Sequence, residues 1–287
     1  MVKIEKTTPA MSGQILDLLM EFRAERMTRD LWARVLNCDW GQEEDYHGLA
    51  LTEDGRVVGF LGMIFSERMI RRKRHKFCSL VGWIVRPDFR NHSLSLLAPL
   101  LQMKDYTITN LTSFAGGVEI MRRIGFQVLD TESLMISAVP SFLAVPRGAG
   151  WSVTDNPAEL RRILEPADRK IFEDHQPYDC RHALLSDGGA NYCYVVFTER
   201  GRCGVKYGFA HYISHPSVFF DHLGCLRNHL LRKGVCMLLV DRRYAGDRRP
   251  GFSLVRVLSV PRLYRPSAGI SPVLVDTLYS EWVILRR

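Results

Sequence analysis

Apolar residues recur along this chain in two rhythms. Over residues 9–36 they fall at helical spacing: Met11, Ile15, Leu18, Leu19 and Phe22 stand at i, i+4, i+7, i+8 and i+11, and Leu31, Val35 and Leu36 continue a similar face after a break. From residue 48 the period shortens. Residues 48–52 read as a strand, Glu53-Asp54-Gly55 as a hairpin turn in which Asp-Gly tolerates positive φ, residues 57–66 as a second strand and 76–85 as a third, ended by Pro87, which cannot donate to a ladder. A helix is predicted over 93–103, a strand over 106–111, a short helix over 118–124 closed by Gly125, and two strands over 126–130 and 134–139.

The stretch from Pro140 to Gly150 holds two prolines and no periodicity, and it reads as a linker. After it the order recurs: a helix over 157–164, a strand over 191–199, a turn at Arg200-Gly201, a strand over 204–213, a helix over 219–231 with Gly234 after it, an apolar strand over 235–241, and a strand-like end over 282–285. The expectation is two similar α/β units, 1–140 and 151–287, joined by residues 141–150.

Composition narrows the class. Of 287 residues, 46% are hydrophobic and 24% charged, an ordinary globular balance. No apolar run approaches the roughly 18 residues that span a bilayer, and the N-terminus carries no signal-peptide core, so a cytoplasmic protein is expected. The seven cysteines show no C-x-x-C pair, which argues against a disulfide framework and a zinc site. The net charge of +8 suits an anionic ligand or nucleic acid. Its sharpest concentration, Arg71-Arg72-Lys73-Arg74-His75-Lys76, lies between two strand-like segments and is expected at a hairpin tip, as a solvated tip or as a site for an acidic partner. Nucleic acid ranks last, because the other arginines are scattered and no recognition helix stands out.

One stretch carries candidate chemistry. In "WIVRPDFRNHSLSLL", residues 83–97, a strand runs into a basic turn and then a leucine-rich helix. Together with "LTEDGRVVGFLGMI" and "MRRIGFQVLD", it resembles the GNAT family, the GCN5-related N-acyltransferases. The resemblance implies an α/β fold of tandem GNAT-like units, each a mixed, mainly antiparallel central sheet flanked by helices. In that family V-x-P-x-x-R leads into R/Q-x-x-G-x-G/A, whose backbone N–H groups bind the pyrophosphate of acyl-CoA. Here Val85 and Arg90 match, and Arg90-Asn91-His92-Ser93-Leu94-Ser95 takes the place of the loop, with serines where glycines belong. Serine keeps the N–H donor, but its Cβ restricts φ. Ser93 reads equally as a phosphate ligand or as an ordinary helix N-cap. Family members often carry N-x-x-A-x-x-x-Y before the Gly-Phe pair, with the Tyr as general acid toward the CoA thiolate. Here those positions hold Phe114 and Met121, and Asn110 is the residue nearest to replacing the Asn.

The resemblance thus implies acetyl-CoA or another acyl-CoA as donor and a small amine as acceptor, such as an amino sugar or a nucleotide-linked sugar. Basic surface would suit an acceptor that bears phosphates. The ending "VDTLYSEWVIL" resembles two-lobed GNAT-like proteins associated with bacterial polysaccharide biosynthesis, and the second half, lacking the acyl-CoA turn, is expected to be degenerate and to wall a cleft. Acyl transfer asks for a proton acceptor and an oxyanion donor. His92, Glu67 and Glu119 are the candidate bases, and backbone N–H groups over 81–85 the oxyanion donors, with Gly82 allowing neighbouring strands to part. Gly82, Trp83, His211, Tyr212, Tyr279 and Glu281 are candidates for the acceptor's walls. Strand alternation puts His211 and Ile213 on one face and Tyr212 on the other, and Tyr279 beside Glu281 on the final strand if that strand begins as early as Tyr279. The competing expectation is a catalytically inactive ligand-binding module, motivated by the missing glycines and Met121.

Overall fold

The computed structural model describes residues 1–22, 27–40, 43–139, 150–202 and 204–285. Its strands are β1 (Val2–Lys6), β2 (Gly48–Glu53), β3 (Arg56–Ile70), β4 (Lys73–Val85), β5 (Tyr106–Asn110), β6 (Gln127–Ser137), β7 (Ser152–Thr154), β8 (Cys180–Ser186), β9 (Tyr192–Arg202), β10 (Val205–Ile213), β11 (Val235–Asp241) and β12 (Ser253–Arg265). All belong to one sheet in the order β1-β2-β3-β4-β5-β12-β6-β11-β10-β9-β8-β7. Pairing is antiparallel except between β4 and β5 and between β10 and β11, so the pattern reads the same from either edge.

The two middle strands are exchanged. β6 comes from the first half of the chain and pairs with β11 of the second, Leu238 opposite Ile136. β12 comes from the second half and pairs with β5 of the first, Leu263 opposite Asn110. The two also pair with each other. Buried charges tie them: Arg262 on β12 donates to Asp130 on β6 at 2.7 Å and also pairs with Asp241 at the end of β11 at 3.5 Å.

The helices are α1 (Ser12–Glu21), α2 (Arg29–Leu36), α3 (Ala115–Arg123), α4 (Pro157–Ile163), α5 (Pro166–His175), α6 (Pro216–Asp221), α7 (Leu223–Arg232), α8 (Arg242–Ala245) and α9 (Glu281–Ile284). Thr28 caps α2 through Leu31 N–H, and Asn156 caps α4 through Ala158 N–H at 2.9 Å, satisfying donors a helix start leaves open. The apolar stripes of α1 and α2 face the sheet, and they share one core cluster with Phe172, Tyr194, Leu278 and Ile284 of the second half. On the other sheet face lie two clusters, one of first-half residues with Leu263 of β12 and one of second-half residues with Leu134 and Ile136 of β6.

Several expectations change. The strands expected at 126–130 and 134–139 are one strand, β6, which must be long to reach β11. The helix expected over 93–103 begins at Pro87 and runs to Gln102 as a 3-10 helix with Pro99 inside it. Proline gives no N–H for an α-helical bond, and Ser95 Oγ donates back to the His92 carbonyl at 2.5 Å. The hairpin turn expected at Arg200-Gly201 falls later, because both residues pair with β10. The strand expected over 282–285 is α9, capped by Ser280, whose hydroxyl accepts from Trp282 N–H at 3.3 Å. β1, β7, β8, β12 and α5 were not anticipated. The linker expected over 141–150 lies, apart from Gly150, outside the described residues. The basic run does form a hairpin tip, with Arg71 and Arg72 at φ of 52° and 63°, but Arg74 pairs with Glu67 and Lys76 with Glu43. Among the described residues no helix is long and apolar enough to cross a membrane, and no His/Cys/Asp/Glu cluster could hold a metal.

Candidate functional site

β4 and β5 pair only over Lys76–Ser79 and Tyr106–Thr109. β4 then runs on to Val85 while β5 ends at Asn110, so the strands part beyond Ser79. A bulge marks the same place: Val81 pairs with Gly62 and Ile84 with Phe60, which leaves Gly82 and Trp83 without partners opposite. Gly82 takes φ +63°, and a Cβ there would meet Leu19 and Trp32 at 3.3 Å. The result is a strand edge whose peptide groups face open space, above a vertex at Ser79 and Thr109.

A cavity of about 190 Å³ fills the parting. Its walls are the β4 segment from Leu80 to Ile84, Leu19 and Phe22 from the α1 side, Trp32 of α2, Asn110 with Thr112, Ser113 and Phe114 after β5, and Met121 of α3. Most of this lining is apolar, with Asn110, Thr112 and Ser113 as its polar side chains. The Trp83 indole N–H is buried without a hydrogen-bond partner, and its ring lies 6.0 Å from that of Phe114. Among the described residues no phenol lines the space: Met121 is buried where the resemblance would place a Tyr.

The residues expected from sequence divide. Gly82, Trp83 and Asn110 line the cavity, and Val85 ends the parted strand with its side chain in the core. Arg90, Asn91, His92, Ser93, Leu94 and Ser95 lie in the 3-10 stretch and do not line the cavity. Arg90, Asn91 and Leu94 are exposed, and His92, Ser93 and Ser95 are half-buried. Ser93 is no N-cap, because the helical stretch starts six residues earlier. None of residues 87–102 has positive φ, so the backbone does not form the nest of N–H groups that glycines allow. Of the expected bases, Glu67 pairs with Arg74 near the hairpin end, and Glu119 lies exposed on α3 beside Arg123. Neither they nor His92 reach the cavity.

The expected walls from the second half lie elsewhere. A bulge in β10 leaves His211 without a partner opposite, between Ala210 and Tyr212. Its ring bonds Thr198 at 3.0 Å and Thr277 at 2.9 Å, while Tyr212 donates to Asp168 at 2.8 Å. Thr198 shares a strand face with Val196 and Tyr194, which pack with Tyr212, and Ile213 packs in the opposite cluster. The bulge thus overturns the alternation expected for these residues. Tyr279 is not on a strand: at φ +52° it donates to Asp174 at 2.7 Å.

The second half has its own parting, between β10 and β11, and the chain's final stretch occupies it. Thr277 N–H donates to the His211 carbonyl at 3.3 Å, and Trp282 stacks on Phe209 at 4.5 Å. Arg68 of β3 pairs with Asp276 of the same stretch. The stretch then delivers Glu281, fully buried, to the vertex of the first parting, where it accepts from Ser79 at 2.8 Å and Thr112 at 3.1 Å. Thr112 and Ser113 had no sequence signal beyond lying between a strand and a helix.

The fold and its parted strands define a class: a mixed sheet opened at one parallel pair, with flanking helices, as in the GNAT fold. No family model matches the chain, and no curated protein matches it significantly in sequence. Solved structures do resemble it. A GCN5-related N-acetyltransferase from Anabaena variabilis superposes with a TM-score of 0.61 at 12% identity, over 92% of this chain and 72% of that one. One from Kribbella flavida gives 0.59 at 12%, over 92% and 70%. A tandem GNAT protein from the clavulanic acid biosynthesis pathway gives 0.54 at 16%, over 94% and 100%. At these identities the likeness is one of fold, and that fold is the one the sequence resemblance implied.

Proposed function

We propose that this chain is an acyl-CoA-dependent N-acyltransferase that joins a short acyl group, acetyl in the simplest case, to a small amine in the parting of β4 and β5. The observation that carries the reading is the parted strand edge above an apolar cavity. An extended donor arm with amide groups can pair with that edge as an added strand would. Backbone N–H groups over 81–85 then lie where an oxyanion would form. The exposed Arg90 and Asn91, with His92 beside them, would meet the donor's phosphates by side chain rather than through a glycine-rich loop. The occupied second parting favours a single site, in the first half. An acceptor bearing phosphate, such as a nucleotide-linked sugar, would suit the net charge of +8. None of the three neighbours is described as a polysaccharide enzyme, so that setting gains no support from them.

Calorimetric titration with acetyl-CoA tests the donor. The expected result is micromolar binding that Arg90→Ala weakens about tenfold, the worth of one charged hydrogen bond. No binding by the wild type would end the reading. Thiol release over a panel of amines, with glucosamine as the first acceptor, tests the reaction. Binding without release from any amine would instead favour a ligand-binding module, the reading that Met121 in place of a Tyr supports.

A further inference from the structure

We propose that Glu281, supplied by the second half of the chain, is the proton acceptor for the cleft of the first half and acts through the hydroxyl of Thr112. The inference rests on the acyl-transfer reading. It starts from a gap: among the described residues, the cavity lining contains no carboxylate, imidazole or amine. The carboxylate of Glu281 lies one hydroxyl behind that lining. Thr112 lines the cavity and donates to Oε1 of Glu281 at 3.1 Å. Ser79 donates to Oε2 at 2.8 Å and itself accepts from Thr109 at 3.1 Å.

The direction of these bonds matters. An ionised carboxylate only accepts, and a hydroxyl has one proton with lone pairs to spare. Thr112 therefore gives its proton toward Glu281 and keeps its lone pairs for a donor in the cavity. An ammonium group placed there has that donor. Its proton passes to Thr112 Oγ1 as the Thr112 proton passes to Glu281, and a neutral amine and a carboxylic acid result. The amine attacks the thioester carbonyl, so that a C–N bond forms and the C–S bond breaks. The departing thiolate takes the second proton from nitrogen. Glu281 returns its proton along the same path once the product has left.

The path of the chain supports the assignment. Glu281 is the first residue of α9, fixed by the Ser280 cap and by Leu285 N–H donating to its carbonyl at 2.8 Å. The stretch before it fills the parting of the second half, so occupation of one cleft and completion of the other are the same event. Since Glu281 acts through Thr112, it is a positioning residue.

The test uses the full chain with acetyl-CoA and two acceptors, glucosamine and a hydrazide that is already neutral at pH 7. Thr112→Val and Glu281→Gln should lower kcat for glucosamine about 100-fold, the usual worth of a positioned base, while KM for acetyl-CoA stays within about twofold. Thr112→Ser should restore the rate, and the hydrazide should lose far less in both variants. A damaged fold would slow both acceptors alike and overturn the proposal, as would wild-type kcat in Thr112→Val, a near-isosteric change at a half-buried position. In either case the acyl-transfer reading stands. A wild type that turns over neither these acceptors nor any other amine ends both.

Discussion

At the scale of single residues, the interior holds histidines that have lost their ordinary charge. Burial pushes His175 and His182 down to about 3, and His211 well below its usual range. In the unfolded chain each returns to about 6.5. Between these values the unfolded state takes up protons that the folded state refuses. Their contribution is therefore whole above pH 6.5 and falls as the pH drops toward 3, by up to about 1.4 kcal/mol per pH unit for each. Burial raises Asp168 and Asp276, which act in the opposite sense, so the total slope does not isolate the histidines. A difference does. His182→Gln keeps a partner for the Tyr194 hydroxyl, which His182 bonds at 2.7 Å, and removes the proton site. In urea titrations from pH 7 to 5 the variant should lose less stability than the wild type, and parallel losses would refute the assignment. The lining of the candidate site was partly legible at this scale. Gly82 was singled out as a glycine that lets neighbouring strands part, and it and Trp83 line the candidate cavity. Thr112 and Ser113 could not, because a hydroxyl in a short loop carries no sign of what stands behind it.

At the scale of elements, the final stretch from Val275 to Leu285 decides which cleft is open. Its last four residues, 282–285, read as a strand because they are apolar and include Val283 and Ile284, and tertiary position overrode that preference. The stretch is anchored by the buried pair of Arg68 and Asp276, where Oδ1 of Asp276 also accepts from Leu278 N–H at 2.9 Å. Asp276→Asn can keep the backbone bond while it strips Arg68 of its counter-charge. A buried guanidinium left in this way costs about 3–5 kcal/mol, whereas an apolar replacement of both partners is often close to neutral. Denaturant unfolding should show a large loss in Asp276→Asn and a smaller one in the double variant Arg68→Met, Asp276→Asn. Equal losses would mean that packing, rather than charge, holds the stretch. The 3-10 stretch shows the opposite case. Its later part, over 93–102, was readable, but its start at Pro87 and its form were not, because the serines and Pro99 compete with helical bonding through contacts that spacing does not reveal.

At the scale of the whole molecule, the recurring order of elements was visible in the hydrophobic rhythm, and the exchange of β6 and β12 was not. Both strands carry ordinary patterns, and only pairing shows that each serves the other half. Without β12, β5 keeps its parallel neighbour but loses Leu263, Tyr264 and Arg265 on its other edge, and without β11 the β6 strand loses five ladder positions. The pair of Arg262 with Asp130 would also be split, so that each charge loses its partner. The core cluster on one sheet face draws on both halves as well. Because a domain is stable by only about 5–15 kcal/mol, losing strand pairing, an ion pair and a shared core together leaves neither half a stable body of its own. The intact chain should therefore unfold in one cooperative calorimetric transition. Residues 1–139 and 150–287 made separately should each lack a cooperative transition, and made together should copurify as a one-to-one complex with the melting behaviour of a single body. Two well-separated transitions in the intact chain, or a cooperatively folded first half alone, would mean that the exchanged strands are exchanged at little cost and that each half is a domain in its own right.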